Sequence, residues 1–181
     1  MGAKLNVIAN LVVSSTGATS KDGSSIGLSS PVDRKRFHQL RAESDAILIG
    51  GSTARKEPYK KTPIPLFIIT HSKVRLQPKN QLAKQLNLPP AAALDEISNY
   101  FANKENVHLL VEAGPKLLIQ MIEESLIKTL YLTVNYKVEG ENKIDLTHLL
   151  RNFDLVKLDK IEDDEFRKYE LAQKINNLNL S

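Results

Sequence analysis

Residues 45–53 read Asp45-Ala46-Ile47-Leu48-Ile49-Gly50-Gly51-Ser52-Thr53. Four consecutive apolar residues suit a strand buried on both faces, because a half-exposed strand would alternate apolar with polar. The two glycines then permit a close backbone approach, and the hydroxyls after them open a helix. Residues 5–13, 66–69 and 107–111 are apolar runs of the same kind. Between them lie segments of helical period. Ser30-Pro31-Val32-Asp33 supplies an N-cap, a proline at the first helical position and an acid three residues after the cap, and Phe37 and Leu40 continue it as an apolar stripe. Residues 92–101 carry Leu94, Ile97 and Phe101 at helical spacing, and residues 115–124 turn Leu117, Leu118, Met121 and Ile122 inward. The last third changes period. Leu130, Leu132, Val134, Tyr136 and Val138 alternate with more polar positions, as in a half-buried strand. Residues 153–161 and 166–173 flank the acidic turn Glu162-Asp163-Asp164-Glu165 as a hairpin. The pattern predicts an α/β fold: a mixed, mainly parallel central sheet flanked by helices and closed by a C-terminal antiparallel hairpin. It reads as a single domain over residues 1–181, with a core of about 4–173 and a tail of 174–181.

The chain has 181 residues, 41% hydrophobic and 25% charged, with a formal net charge of +4. A domain of this size buries roughly 70% of its unfolded surface, so a full apolar core is available. The absence of cysteine excludes disulfides and thiolate metal sites and suits a reducing compartment. The four histidines are scattered and no metal site is expected. No apolar run approaches the ~20 residues of a membrane span, and the N-terminus does not read as a secretory signal. The expectation is a soluble cytoplasmic domain without a membrane partner. Between Arg55 and Lys84 eight basic residues stand against the single acid Glu57. With no tryptophan and five each of tyrosine and phenylalanine, stacking platforms for nucleic acid are scarce. A small phosphorylated molecule is the better partner for such a zone.

In parallel sheets, ligands lie beyond the carboxyl ends of the strands. Three strand ends here have suitable chemistry: Gly50-Gly51-Ser52-Thr53, Glu112-Ala113-Gly114-Pro115, and Thr70-His71-Ser72-Lys73. Two glycine-bearing anion cradles beside a basic strand end favour a phosphate-rich cofactor such as a dinucleotide. Neither a Rossmann glycine fingerprint nor a P-loop is present. Arg34, His38 and Arg41, at i, i+4 and i+7, share one helix face opposite the apolar stripe, read either as a solvated basic face or as a clamp for a substrate phosphate. Glu112 ends a strand expected to be buried. A carboxylate there needs a donor, and it either ties down a neighbour or orients a substrate.

Beyond these local readings, the order and spacing of Ser29-Ser30, His38-Gln39-Leu40-Arg41-Ala42, Asp45-Ala46-Ile47-Leu48-Ile49-Gly50, Thr53 and Glu112-Ala113-Gly114-Pro115-x-Leu117 are similar to a known pattern. From about Val7 to Leu171 the chain resembles the reductase domain of the bacterial bifunctional deaminase-reductases of riboflavin biosynthesis, whose fold is similar to dihydrofolate reductase. The resemblance implies NADPH-dependent reduction of a phosphoribosylamino-pyrimidine to its ribityl form. It implies that the pyrophosphate lies across Gly50, Gly51, Ser52, Thr53 and Ala113, Gly114, Pro115, Leu117. The 2′-phosphate would meet Ser72 and Lys73, and the nicotinamide would rest near Ala9 and Ser14. Arg41 would hold the substrate phosphate with Ser29 nearby, and Arg34 and His38 would complete the substrate face. Glu57 and Glu112 would be the acidic groups at the reaction site, and relatives of this kind are usually homodimers. Ser14-Ser15-Thr16-Gly17-Ala18 stands where the family has Ser-Leu-Asp-Gly-Lys, Lys128-Thr129 replaces an Asp-Glu pair, Tyr136 replaces a proline, and Ala113 replaces a glycine. No cysteine is available for the zinc site of the deaminase often fused to this reductase. Two other readings stay open: a related NADPH reductase of a pterin, folate or other small heterocycle, and a non-catalytic nucleotide-binding relative.

Overall fold

A computed structural model describes residues 2–173, so the expected tail at 174–181 lies outside the described residues. The elements run β1 (Lys4–Ser14), β2 (Ala18–Ser20), a short 3₁₀ turn (Ser25–Leu28), α1 (Pro31–Ala42), β3 (Ala46–Gly50) and α2 (Gly51–Lys56). They continue β4 (Leu66–Ile69), β5 (Ala83–Leu86), α3 (Pro90–Tyr100), β6 (Asn106–Val111) and α4 (Pro115–Glu123). The chain closes with β7 (Thr129–Asn135), β8 (Glu141–Lys143), α5 (Leu146–Leu150), β9 (Phe153–Ile161) and β10 (Asp164–Leu171). The main sheet has eight strands in the order β5-β4-β3-β6-β1-β7-β10-β9. The six from β5 to β7 are parallel, and β10 and β9 add the antiparallel hairpin. This is the mixed, mainly parallel α/β architecture that the apolar runs imply.

The continuous runs form strands because both faces are covered. Ala9, Leu48, Phe67 and Val111 join Ile97 of α3 and Leu118, Met121 and Ile122 of α4 in the larger core. Ile47, Ile49, Leu66 and Ile68 point the other way and pack with Ala54 of α2 and with Tyr59. Each fully buried aliphatic side chain of this kind contributes about 1.5–3 kcal/mol against an exposed reference. Helix α1 starts at its proline, with the Ser30 hydroxyl accepting from the Asp33 N–H at 3.0 Å. A cap of that type stabilises by about 1 kcal/mol.

Four features differ from the sequence reading. Strand β7 is paired on both sides, so Thr133 and Asn135 are buried as well as Leu132 and Val134, while Tyr136 lies past the strand end and is exposed. The hairpin turn is shorter than the four acids suggested: β10 begins at Asp164, and Glu162 takes the left-handed conformation at φ 54°. Strand β5 and the small β2–β8 ribbon carry too few apolar residues to announce themselves. On α1, Arg41 shares a side with Phe37 rather than opposing it, its guanidinium lying 4.4 Å from that ring.

Candidate active site

The carboxyl ends of β1, β3, β4 and β6 fall on one edge of the sheet because these strands are parallel. A cleft of about 390 Å³ opens there, floored by Asn10, Val12 and Glu112, with Ser52, Thr53, Gly114 and Pro115 on one side. The β2–β8 ribbon walls the other side, where Asn142 donates to the Ser20 hydroxyl at 2.6 Å. Helices α2 and α4 both begin at this cleft without a side-chain cap. Their starts are joined, because the Gly114 N–H donates to Thr53 Oγ1 at 3.2 Å. Gly51 lets α2 start close against the end of β4, since a Cβ there would lie 2.5 Å from Thr70 Oγ1 and 2.9 Å from Thr70 Cβ. Backbone N–H groups at uncapped helix starts favour an anion. The exposed amines of Lys56 and Lys116 stand at the rim.

Glu112 is the most constrained group in the site, its side chain only 4% exposed. Arg41 donates to both of its oxygens, Nε to Oε1 at 2.6 Å and Nη2 to Oε2 at 2.5 Å. The Tyr59 hydroxyl donates to Oε2 at 2.6 Å. Asn80 in turn donates to the Tyr59 carbonyl at 2.9 Å and to Thr62 Oγ1 at 3.0 Å, fixing the loop that carries the ring. Burial, helped by the Glu112 carboxylate, pushes the Tyr59 phenol well above its ordinary value, so it stays a donor. Burial works against the Arg41 charge, but its bonds to Glu112 outweigh that and hold its pKa above the ordinary value. The result is a carboxylate whose orientation is set from behind. At the other side of the cleft, Ser25 donates to Glu57 Oε1 at 3.1 Å.

The structure therefore brings Ser52, Thr53, Glu57, Glu112, Ala113, Gly114 and Pro115 to one cleft. Gly50 and Leu117 lie just behind it, a Cβ on Gly50 facing Leu117 Cδ2 at 3.3 Å. Other candidate residues are placed elsewhere. Arg41 sits behind Glu112, while Arg34 and His38 are exposed on α1. Ser29 donates to Asp33. Ala9 is wholly buried in the larger core, and the Ser14 hydroxyl accepts from the N–H groups of Thr16 and Ala18 to shape the turn after β1. Ser72 and Lys73 follow β4 on the same edge but do not line the cleft, and the Ser72 hydroxyl donates to the Val74 carbonyl. Sequence reasoning missed Tyr59, Asn10, Ser25, Lys56, Lys116 and Asn142. Two of them left a signal, Lys56 as part of the basic zone and Tyr59 as an aromatic residue directly after the Glu57-Pro58 corner. Among the described residues no group of three or more acidic or histidine side chains is placed to hold a metal ion.

A mainly parallel sheet closed by an antiparallel C-terminal hairpin is the dihydrofolate reductase-like fold. Residues 6–165 match the model of the RibD C-terminal domain, and the chain belongs to that family. The family points to an oxidoreductase of the RibD and dihydrofolate reductase type. Among solved structures, the deaminase/5-amino-6-(5-phosphoribosylamino)uracil reductase of Thermotoga maritima superposes with a TM-score of 0.70 at 14% identity, over 94% of this chain. The present chain spans 57% of that protein's length. A putative riboflavin biosynthesis protein from Shewanella matches with a TM-score of 0.69 at 15% identity, over 96% of this chain and 100% of the other. Dihydrofolate reductase from Enterococcus faecalis, in complex with NADP(H), matches with a TM-score of 0.67 at 15% identity, over 96% and 100%. No curated protein matches the sequence.

Proposed function

We propose that this chain is an NADPH-dependent reductase of riboflavin biosynthesis, acting on 5-amino-6-(5-phosphoribosylamino)uracil and converting its ribosyl group to ribityl. The observation that carries the reading is the cleft itself, where two joined, uncapped helix starts and two rim lysines face a fixed carboxylate. That donor set fits a dinucleotide: N–H groups and hydroxyls for the pyrophosphate, from Ser52 and Thr53 on α2 and from the N–H groups of Lys116 and Leu117 on α4, with Gly114 and Pro115 shaping the turn before them. Lys73 is the candidate for the 2′-phosphate. Bound there, NADPH would supply the hydride for the reduction, with a proton from solvent balancing it. The protein's part is to align the two ligands and keep them in place. Glu112, held by Arg41 and Tyr59, presents an acceptor to an N–H or O–H of the substrate, and Glu57 faces the same space. We assign the chain to a single cytoplasmic domain working as a homodimer. The test is loss of NADPH absorbance with the phosphoribosylamino-uracil substrate, and no turnover above background overturns the assignment. Saturable turnover of a pterin or folate with none on the riboflavin intermediate would move the chain to a related reductase class.

A further inference from the structure

Strand β9 is the outer edge of the eight-stranded sheet, paired only with β10 among the described residues. It is nine residues long, and Leu155, Val156, Leu158 and Ile161 are each between 41 and 49% exposed. Long apolar edges of this kind recruit another strand unless something blocks them. Here the blocking residues are charged and of both signs: Lys157, Asp159 and Lys160.

We infer that β9 pairs with β9 of a second copy, antiparallel about a two-fold axis at Leu158, making one continuous sheet across the dimer. Backbone geometry limits the choice. Successive residues of an edge strand point their N–H and C=O groups alternately inward and outward, so opposed residues on the two copies must share the same parity. An isologous antiparallel pair must therefore centre on a residue. Beyond the bulge near Val156, the regular stretch is Lys157 to Ile161. A centre on Lys157, Asp159 or Lys160 sets that charge against its own copy, and like charges directly opposed repel. A centre on Leu158 packs leucine on leucine and sets Lys157 opposite Asp159 twice, once on each side of the axis. Lys157 and Asp159 are already within 3.1 Å on one strand and are 65% and 36% exposed, so both reach a partner. The same charges disfavour any strand with a different pattern, which makes the edge selective as well as available.

This inference rests on the homodimer reading and adds where the partner sits. The experiment uses the full chain, with mass measured by light scattering after size exclusion over a range of concentrations. Wild type is expected at twice 20.2 kDa. K157D sets aspartate against aspartate and D159K sets lysine against lysine, and each should weaken the dimer by about 10- to 100-fold. The double swap K157D/D159K restores unlike pairs within the strand and across the axis and should restore the dimer; mixing K157D with D159K restores them across the axis alone and should give a heterodimer, a result that a simple folding defect cannot give. Circular dichroism confirms the fold of each variant. A monomeric wild type overturns both the homodimer and the surface. A dimer indifferent to the single reversals, or a double swap no better than either single, overturns the surface alone. Neither outcome bears on reductase activity, which the NADPH assay reads separately.

Discussion

Replacing Arg41 with methionine tests whether the cleft floor is a fixed ion pair. The substitution keeps the apolar stem but removes both donors to Glu112 and the guanidinium that lies over Phe37. Glu112 then keeps only the Tyr59 hydroxyl while its side chain remains 4% exposed. Breaking a fully buried ion pair by deleting one member costs about 3–5 kcal/mol. Arg41 is 26% exposed and the cleft admits water, so the loss should be smaller, about 2–3 kcal/mol. For a chain of this size, 1 kcal/mol moves Tm by roughly 2–4 °C, giving a fall of about 5–10 °C by calorimetry at neutral pH. Tyr59→Phe, which removes one donor from an acceptor that Arg41 still holds, should cost about 1–2 kcal/mol. The decisive variant is R41M/E112M. With no stranded carboxylate it should recover part of the loss, because buried pairs can be replaced by apolar groups at little net cost, the remainder being the Tyr59 hydroxyl left without its acceptor. A single variant within about 2 °C of wild type, or a double variant as unstable as R41M, would refute the reasoning.

Three other outcomes are expected. Gly51→Ala pushes a methyl group into Thr70, so it should lose about 1–3 kcal/mol of stability in chemical denaturation and weaken cofactor affinity. For Asp164, burial raises the carboxyl above its ordinary value of 3.8, and one oxygen has no partner. The folded state therefore binds this proton more tightly than the unfolded state, a contribution present below that ordinary value and lost as pH rises through the raised one. Asp164→Asn should accordingly match or exceed wild-type Tm at neutral pH and lose that advantage in acid, and the opposite trend would remove the argument. Finally, at 100 times its dissociation constant NADPH should add about 2.7 kcal/mol in thermal unfolding, with NADH adding less. Lys73→Ala should abolish that difference; if the gap survives, the 2′-phosphate lies elsewhere.

The fold was legible wherever burial on two faces forced a continuous apolar run, as in Ala46 to Ile49 and Leu66 to Ile69. Ser30, Pro31 and Asp33 marked the start of α1 because a cap is a local device, complete within four residues. Strand β5, Ala83–Leu86, escaped because at the end of the sheet neither of its faces is fully covered, so it tolerates Lys84 and Gln85. The cleft was half legible. Glycines and hydroxyls after buried strands are local signals, and those segments do meet at the cleft. Tyr59 was not legible as a partner of Glu112, since 53 residues separate them and only the packed sheet brings them together. Arg41 misled for a related reason. Helical spacing groups it with His38 at i−3 but equally with Phe37 at i−4, so it stands on the inward edge of α1, where its head reaches Glu112.

The placement of Arg41 changes how the charge of the cleft should be counted. Two carboxylates, Glu57 and Glu112, face the space, with the amines of Lys56 and Lys116 at its rim. If Glu112 were free, acids and bases would cancel and the cleft would have no preference for an anion. Because Arg41 matches Glu112 from behind, the cleft is left with two lysines against Glu57 alone. The buried pair has fixed geometry and low exposure, so it orients without having to reorganise when a ligand arrives. The rim lysines are solvated and mobile, and they attract a polyanion without committing to one geometry. A reduction whose hydride comes from a bound cofactor needs this division more than it needs an acid–base pair: a rigid acceptor at the floor to set the angle of one ligand against the other, and adaptable cations outside to hold their phosphates.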